Sequence, residues 1–232
     1  MEFFITGTDT GCGKTLVTLA FMEKLRASGG RVAGMKPVAA GAEMTSGGLR
    51  NGDALAIQAR CSGSFPYEII NPCCLRTPAA PHLAAAAEGT RIDIGKIHRA
   101  AAELRQTSDH LVVEGAGGWK VPLTENLDMA DLCRGLELPV VLAVGLKLGC
   151  INHALLSVDS ILASGVLLVG WVANSLERGM PFEAENIATL QQRIPAPLLG
   201  HLPWQAKPDP AWSAGRLRLP KTRTTARRPS RY

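Results

Sequence analysis

Glycines, a lysine and threonines gather in Gly7-Thr8-Asp9-Thr10-Gly11-Cys12-Gly13-Lys14-Thr15, between the apolar run Phe3-Phe4-Ile5 and an apolar pattern of helical period. A strand, a glycine-rich turn and a helix start in that order suit the phosphates of a nucleotide. Turn amides point inward, the helix N-terminus faces the anion, and a lysine reaches the outer phosphates. The Thr15 hydroxyl is placed to hold Mg²⁺. Gly7 lies six positions before Gly13, so five residues separate them, where the common phosphate loop has four. Chance also puts Gly-Lys-Thr in surface turns, but the flanking strand and helix favour the nucleotide.

Other residues offer chemistry that such a loop needs. Lys36 leaves an apolar stretch into Pro37, which biases it to extended geometry and aims its side chain off a sheet edge. With Lys14 it would bring positive charge to the equatorial oxygens of a transferring phosphoryl group; an exposed strand-end lysine is the plainer alternative. Glu114 ends Leu111-Val112-Val113, where a carboxylate is costly to desolvate unless paired. Acids so placed hold Mg²⁺ in nucleotide enzymes. Asp53 opens a helical pattern, so capping that helix competes with metal binding as its role. Gly115, Gly117 and Gly118 let backbone approach a ligand closely. Gly149-Cys150-Ile151-Asn152 opens a further helix whose free amides suit a carboxylate. His153, beside it, reads better as a structural histidine than as a base.

These residues need a frame. Short apolar, β-branched runs alternate with longer helical patterns, which predicts an α/β fold: a doubly wound, mostly parallel sheet flanked by helices. Strands are expected at Glu2–Thr6, Arg31–Lys36, His110–Glu114, Val140–Val144, Leu167–Ala173 and Leu198–Leu202. Helical patterns cover about 15–28, 53–60, 93–106, 129–136, 151–164 and 183–193, and the proline-rich segment 61–92 is expected to be irregular. Lys14, Lys36, Glu114, Lys147, Asn174 and the Pro203-Trp204 pair each fall at or just after the carboxyl end of an expected strand. In an open parallel sheet those ends meet in one crevice, so separate motifs would converge on one site.

At 232 residues one α/β domain fits best. A hydrophobic content of 46% supports a real core, while 5% aromatic residues argue against a platform for stacked bases. Six cysteines form no Cys-x-x-Cys pair, which favours reduced thiols and, with no signal-peptide pattern, a cytoplasmic location. Cys12 sits where the lysine and helix dipole could lower its pKa. The formal charge of +5 belongs to one end: residues 213–232 carry seven basic residues and no acid, and taking those seven from +5 leaves −2 for the rest. One domain over 1–210 and a basic, disordered tail over 211–232 are therefore expected.

Several motifs together resemble the dethiobiotin synthetases of biotin biosynthesis. They are Gly7-Thr8-Asp9-Thr10, Lys36-Pro37-Val38, Asn71-Pro72, Pro81-His82, Glu114-Gly115-Ala116-Gly117-Gly118-Trp119, Lys147 through His153, Gly170 through Asn174 and Ile194 through Gly200. They run in order over about residues 2–206. The resemblance implies a homodimer of the P-loop nucleoside-triphosphatase fold, with Mg²⁺ as cofactor and ATP as co-substrate. An amine of 7,8-diaminononanoate would capture CO₂ (or bicarbonate carbon) as a carbamate, which attacks the γ-phosphate before the second amine closes a ureido ring. By the same resemblance Lys14 and Lys36 stabilise the reacting groups, and Thr15, Asp53 and Glu114 organise Mg²⁺. Gly11, Cys12, Gly13, Lys14, Thr15 and Leu16 cradle phosphates, with Glu114, Gly115, Ala116 and Gly117 also facing the nucleotide. Asn174, Ser175, Pro203, Trp204 and Gln205 hold the adenine. Thr10, Ala40, Gly117, Gly118 and Lys147 face the diamine, and Gly149, Cys150, Ile151 and Asn152 of the second subunit bind its distal carboxylate.

Three positions depart from the family pattern. Gly11 stands where many relatives carry an acid, Ala40 where relatives often carry a serine, and Pro210 where some have an acidic nucleotide contact. The rival reading is a switch ATPase of the partitioning type, whose signature lysine lies five residues before the P-loop lysine. Here that position is Asp9, an acid that cannot stabilise phosphate in trans. A non-catalytic nucleotide-binding paralogue is the remaining alternative; the intact Lys14, Thr15, Lys36, Asp53 and Glu114 speak against it.

Overall fold

The computed structural model describes residues 1–221. β1 (Glu2–Gly7) leads through the phosphate loop into α1 (Lys14–Ala27), which returns through β2 (Val32–Met35). Short pieces follow: β3 (Val38–Ala39), a hairpin of β4 (Glu43–Thr45) and β5 (Gly48–Arg50), α2 (Gly52–Gln58), α3 (Tyr67–Ile70), β6 (Cys73–Cys74) and α4 (Pro81–Ala87). The rest alternates regularly: α5 (Ile94–Thr107), β7 (His110–Glu114), α6 (Met129–Gly135), β8 (Val140–Leu146), α7 (Cys150–Ala163), β9 (Leu168–Ser175), α8 (Glu183–Arg193), β10 (Leu198–Leu202) and α9 (Pro210–Ala214).

Six strands form one sheet in the order β10-β9-β8-β1-β7-β2, all parallel. A parallel sheet is covered by helices on its faces, so its strands read as continuous apolar runs. Phe3-Phe4-Ile5, Leu111-Val112-Val113 and Val140 through Val144 are accordingly buried. Phe21 of α1 meets Phe3 edge-on, with ring centroids 5.1 Å apart, an arrangement aromatic pairs prefer.

The topology decides where a ligand can sit. From β1 the chain crosses to β2 on one side, fills the gap between them with β7, and later places β8 on the other side of β1. The crevice of such a sheet opens beyond the carboxyl ends of the strands at this reversal. The register then aligns the chemistry: Ile5 pairs with Glu114, and Met35 with Val113. Lys36, one residue beyond Met35, therefore stands level with Glu114.

Two expectations need correcting. Segment 61–92 is not irregular throughout, because Pro66 occupies the N-cap position of α3 and Pro81 the first turn of α4. Prolines read as breakers here start helices, where the missing N–H is not needed. The packed chain also runs past the boundary expected at 210. Asp209 caps α9 by accepting from the Ala211 amide at 2.8 Å, and α9 packs on α1. Ser213, Ala214 and Leu217 are buried, and the Arg218 amide donates to the Leu199 carbonyl at 2.7 Å. Gly200 permits this approach, since a Cβ there would lie 2.3 Å from the Arg216 carbonyl oxygen. The basic residues obscured a few apolar ones at useful spacing. The remainder of the expected tail, 222–232, lies outside the described residues.

Candidate active site

The loop between β1 and α1 takes its shape from glycines. Gly11 and Gly13 have φ of 76° and 88°, a region that costs a side-chain-bearing residue about 1–2 kcal/mol. Gly13 is also crowded: a Cβ would lie 2.0 Å from Asn174 Nδ2. That amide donates to the Cys12 carbonyl at 3.1 Å and so ties the loop to β9. No side chain caps α1, which leaves its first N–H groups to an anion. Lys14 is almost buried, and its Nζ donates to the Asp9 carbonyl at 2.9 Å. The Asp9 carboxylate accepts from the Thr10 amide at 2.7 Å and pairs with Lys147 Nζ at 2.9 Å. The hydrogen bond from Lys147 holds the Asp9 acid below the usual carboxylate range and raises the lysine in return.

A second group of charges faces this loop. Lys36 Nζ lies 2.5 Å from Glu114 Oε1 and 3.0 Å from Asp53 Oδ2, and the Thr15 hydroxyl donates to Glu114 Oε1 at 2.9 Å. Glu114 is 0% exposed and Lys36 5%, so these charges tolerate burial only as a set. Burial alone would depress the Lys36 ammonium, but the charges of Glu114 and then Asp53 outweigh it and raise its pKa. Burial likewise pushes the Asp53 acid up, yet Lys36 beside it, with the Thr15 hydroxyl, brings it below its ordinary value. Asp53 is not the helix cap. Asn51 is, accepting from the Asp53 and Ala54 amides at 3.1 and 3.3 Å, which leaves the Asp53 carboxylate for Lys36.

Around these groups opens a cleft of about 690 Å³. Thr10, Gly11, Gly13, Lys14, Thr15, Lys36, Ala40, Asp53, Glu114, Ala116 and Gly117 line it. Gly117, at φ 63°, has room for no side chain, since a Cβ would meet Val121 at 2.7 Å. Asn51, Ala39, Val121 and the Pro78-Ala79-Ala80 run complete the wall. Sequence reasoning did not place them there. Asn51-Gly52 before a helical pattern was a legible capping signal for the first; the others are apolar or small and carry no signature.

The remaining expected residues lie elsewhere. Cys12 is buried beneath the loop, and a Cβ on Gly115 would meet the Phe4 ring at 2.8 Å. Leu16, Gly118 and Lys147 are outside the cleft lining, the last drawn to Asp9. Asn174 and Ser175 end β9 on the far side of the loop, where the Ser175 hydroxyl lies 2.8 Å from His201 Nε2. Trp204 is half-exposed, while Gln205 bonds to Ser213 Oγ and to the Asp209 amide, bracing α9. Gly149 through Asn152 start α7 away from the cleft, with the Cys150 thiol turned towards Asn186 Oδ1 at 3.7 Å.

The donor set suits a hard cation. Thr15, Asp53 and Glu114 offer only oxygens, and Glu114 Oε2 is buried with no hydrogen-bond partner. Mg²⁺ is commonly held by one or two carboxylates together with substrate phosphates, so a site with few protein ligands fits it. Among the described residues no cluster of three or more His, Cys, Asp and Glu could hold a metal by itself.

The cell-division protein FtsY of Thermotoga maritima superposes with a TM-score of 0.55 at 15% identity, covering 92% of this chain and 67% of that one. The MinC:MinD cell-division complex of Aquifex aeolicus gives 0.54 at 18% identity, covering 89% and 82%. Likeness at such low identity speaks for the fold, that of P-loop nucleotide hydrolases. A family described as an AAA domain matches residues 1–211. The ATP-dependent dethiobiotin synthetase BioD of Xanthomonas axonopodis pv. citri is 48% identical over 94% of this chain and 98% of its own length. That of Aromatoleum aromaticum is 49% identical over 94% and 97%. With identity of that order over nearly the whole length of both chains, this chain belongs to the ATP-dependent dethiobiotin synthetase family.

Proposed function

We infer that this protein is an ATP-dependent ligase that makes dethiobiotin from 7,8-diaminononanoate, CO₂ and ATP, releasing ADP and phosphate. The observation that carries the reading is the Lys36 ammonium held between Glu114 and Asp53 at the mouth of the phosphate loop. One amine attacks CO₂ and loses a proton, giving a carbamate. A carbamate oxygen attacks the γ-phosphorus, ADP leaves, and a carbamic-phosphoric anhydride forms. The second amine then attacks the activated carbon, a proton is lost, and phosphate departs as the ring closes.

This chain's contribution is placement and charge. Gly11 through Leu16 give amides to the phosphates, and Lys14 and Lys36 bring positive charge to oxygens that gain negative charge as the phosphoryl group transfers. Mg²⁺, held by Thr15, Asp53 and Glu114, would neutralise phosphate charge when bound; the orphaned Glu114 Oε2 supports that assignment. Asn174, Ser175 and Pro203–Gln205 take the adenine. Thr10, Ala40, Gly117 and Gly118 flank the diamine, with Lys147 acting through Asp9. The amides of Gly149–Asn152 from a second subunit bind the diamine's carboxylate. Leu148 is 97% exposed and Leu156 61%, which supports a homodimer that covers the α7 face.

No helix among the described residues is long and apolar enough to cross a membrane, and the free cysteines accord with a cytoplasmic setting. The pairing of Asp9 with Lys147 argues against a partitioning-type switch. The test is phosphate release from Mg-ATP with bicarbonate, with and without the diamine. Release that requires both co-substrates is expected; release indifferent to the diamine overturns the reading.

A further inference from the structure

Behind Lys36 and Asp53 lies a hydrogen-bonded chain that touches neither the cleft nor any expected reactant until its ends. The Tyr67 phenolic oxygen accepts from the Asn51 amide at 2.7 Å. The Tyr67 hydroxyl in turn donates to Asn71 Oδ1 at 3.0 Å. Asn71 Nδ2 donates to the carbonyl of Lys36 at 2.6 Å and to that of Cys73 at 3.2 Å. The sense of these bonds is determined, because a backbone amide can only donate and two carbonyls can only accept; the Cys74 thiol also lies 3.5 Å from the phenol oxygen. At the other end Asn51 Oδ1 caps α2 through the Asp53 amide. One phenol thus joins the backbone under Lys36 to the helix start that carries Asp53.

The surroundings keep this junction rigid. Tyr67 is 6% exposed and Asn71 2%, so loss of either partner would strand buried polar groups. The Arg50 guanidinium lies 4.2 Å over the Tyr67 ring and reaches Glu68 at 3.7 Å, fixing the ring. Burial also pushes the phenol well above its usual pKa, so it stays a donor over any working pH.

We propose that Tyr67 is a positioning residue for the ligase reaction, setting Lys36 against Asp53 by holding Asn71 and Asn51 through its single hydroxyl. The proposal rests on the catalytic reading of Lys36 given above. Misplacement of a reacting group by about 1 Å costs up to roughly 10²-fold in rate, which makes such a brace worth having outside the cleft.

The test is a double-mutant cycle between Tyr67→Phe and Lys36→Gln, read as kcat of phosphate release with both co-substrates, with folding checked by circular dichroism. In the parent, Tyr67→Phe is expected to lower kcat roughly tenfold or more while KM for ATP stays within about twofold; in the Lys36→Gln protein it should cost less than about threefold. A merely structural tyrosine would cost the same factor in both backgrounds. That result, or an unaltered kcat in the parent, overturns the proposal. If instead Lys36→Gln turns over at the parent rate, it is the catalytic reading of Lys36 that fails. Should Tyr67→Phe not fold, Asn71→Ser breaks the adjoining link and takes its place in the cycle, with the same expectations.

Discussion

Lys36 Nζ stands 2.5 Å from Glu114 Oε1, joining the carboxyl ends of two adjacent strands from residues 78 apart in the chain. Both groups are buried, and Asp53 and Thr15 close the set. The same ammonium that balances two carboxylates is the one assigned to the transferring phosphoryl group.

Lys36→Gln keeps length and polarity but removes the charge. Turnover is expected to fall by at least about 10²-fold, the loss typical of one transition-state donor. Steady-state phosphate release measures it, and near-parent activity would remove Lys36 from the catalytic set.

Glu114→Ala should destabilise the fold as well as the reaction. It leaves the buried Lys36 with Asp53 alone, and stripping one partner from a buried pair costs about 3–5 kcal/mol. Urea unfolding gives the value; a loss below about 1 kcal/mol, the level of an exposed pair, would mean that solvent reaches Lys36 freely.

Gly13→Ala meets two obstacles, the positive φ and the Asn174 side chain. ATP binding, followed by calorimetry, is expected to be lost. Asn174→Gly in the same chain relieves the contact but not the backbone cost of about 1–2 kcal/mol, so recovery should be partial. Full recovery would show that φ does not matter there.

Asp9 and Lys147 supply a pH signature. Because the folded-state Asp9 acid is held below its ordinary value, the pair adds stability above that value and loses it as pH falls through the lowered one. Asp9→Asn should therefore narrow the stability difference between neutral pH and acid. The effect is small and weakened by salt, since both side chains are over 40% exposed. Paired denaturation curves at low and high salt decide it; a salt-independent difference would contradict an exposed pair.

Stopping the chain at 210 is expected to lower the melting temperature, since Ser213, Ala214 and Leu217 are buried. Leu217→Ala isolates the reason: a fully buried leucine cut to alanine costs about 2–5 kcal/mol. A melting temperature equal to that of the full chain would show that α9 adds nothing to the core.

Much of this protein was legible in its residues. Continuous apolar runs announced buried parallel strands, because a strand covered on both faces has no polar side to display. Gly-Lys-Thr at a strand–helix junction announced a phosphate loop, and Glu114 closing Leu111-Val112-Val113 announced a buried acid in need of a partner. All of these are local patterns, written within a few neighbouring positions. Tertiary structure alone decided the pairings. That Lys36 answers Glu114 follows from β7 inserting between β1 and β2 and from the register of Met35 with Val113. That Asn51 rather than Asp53 caps α2 follows from which side chain the amides reach. The brace through Tyr67 and the packing of α9 were hidden for the same reason. Their partners are brought together by strand order and close approach, and no spacing along a chain encodes which distant carbonyl or helix a side chain will meet.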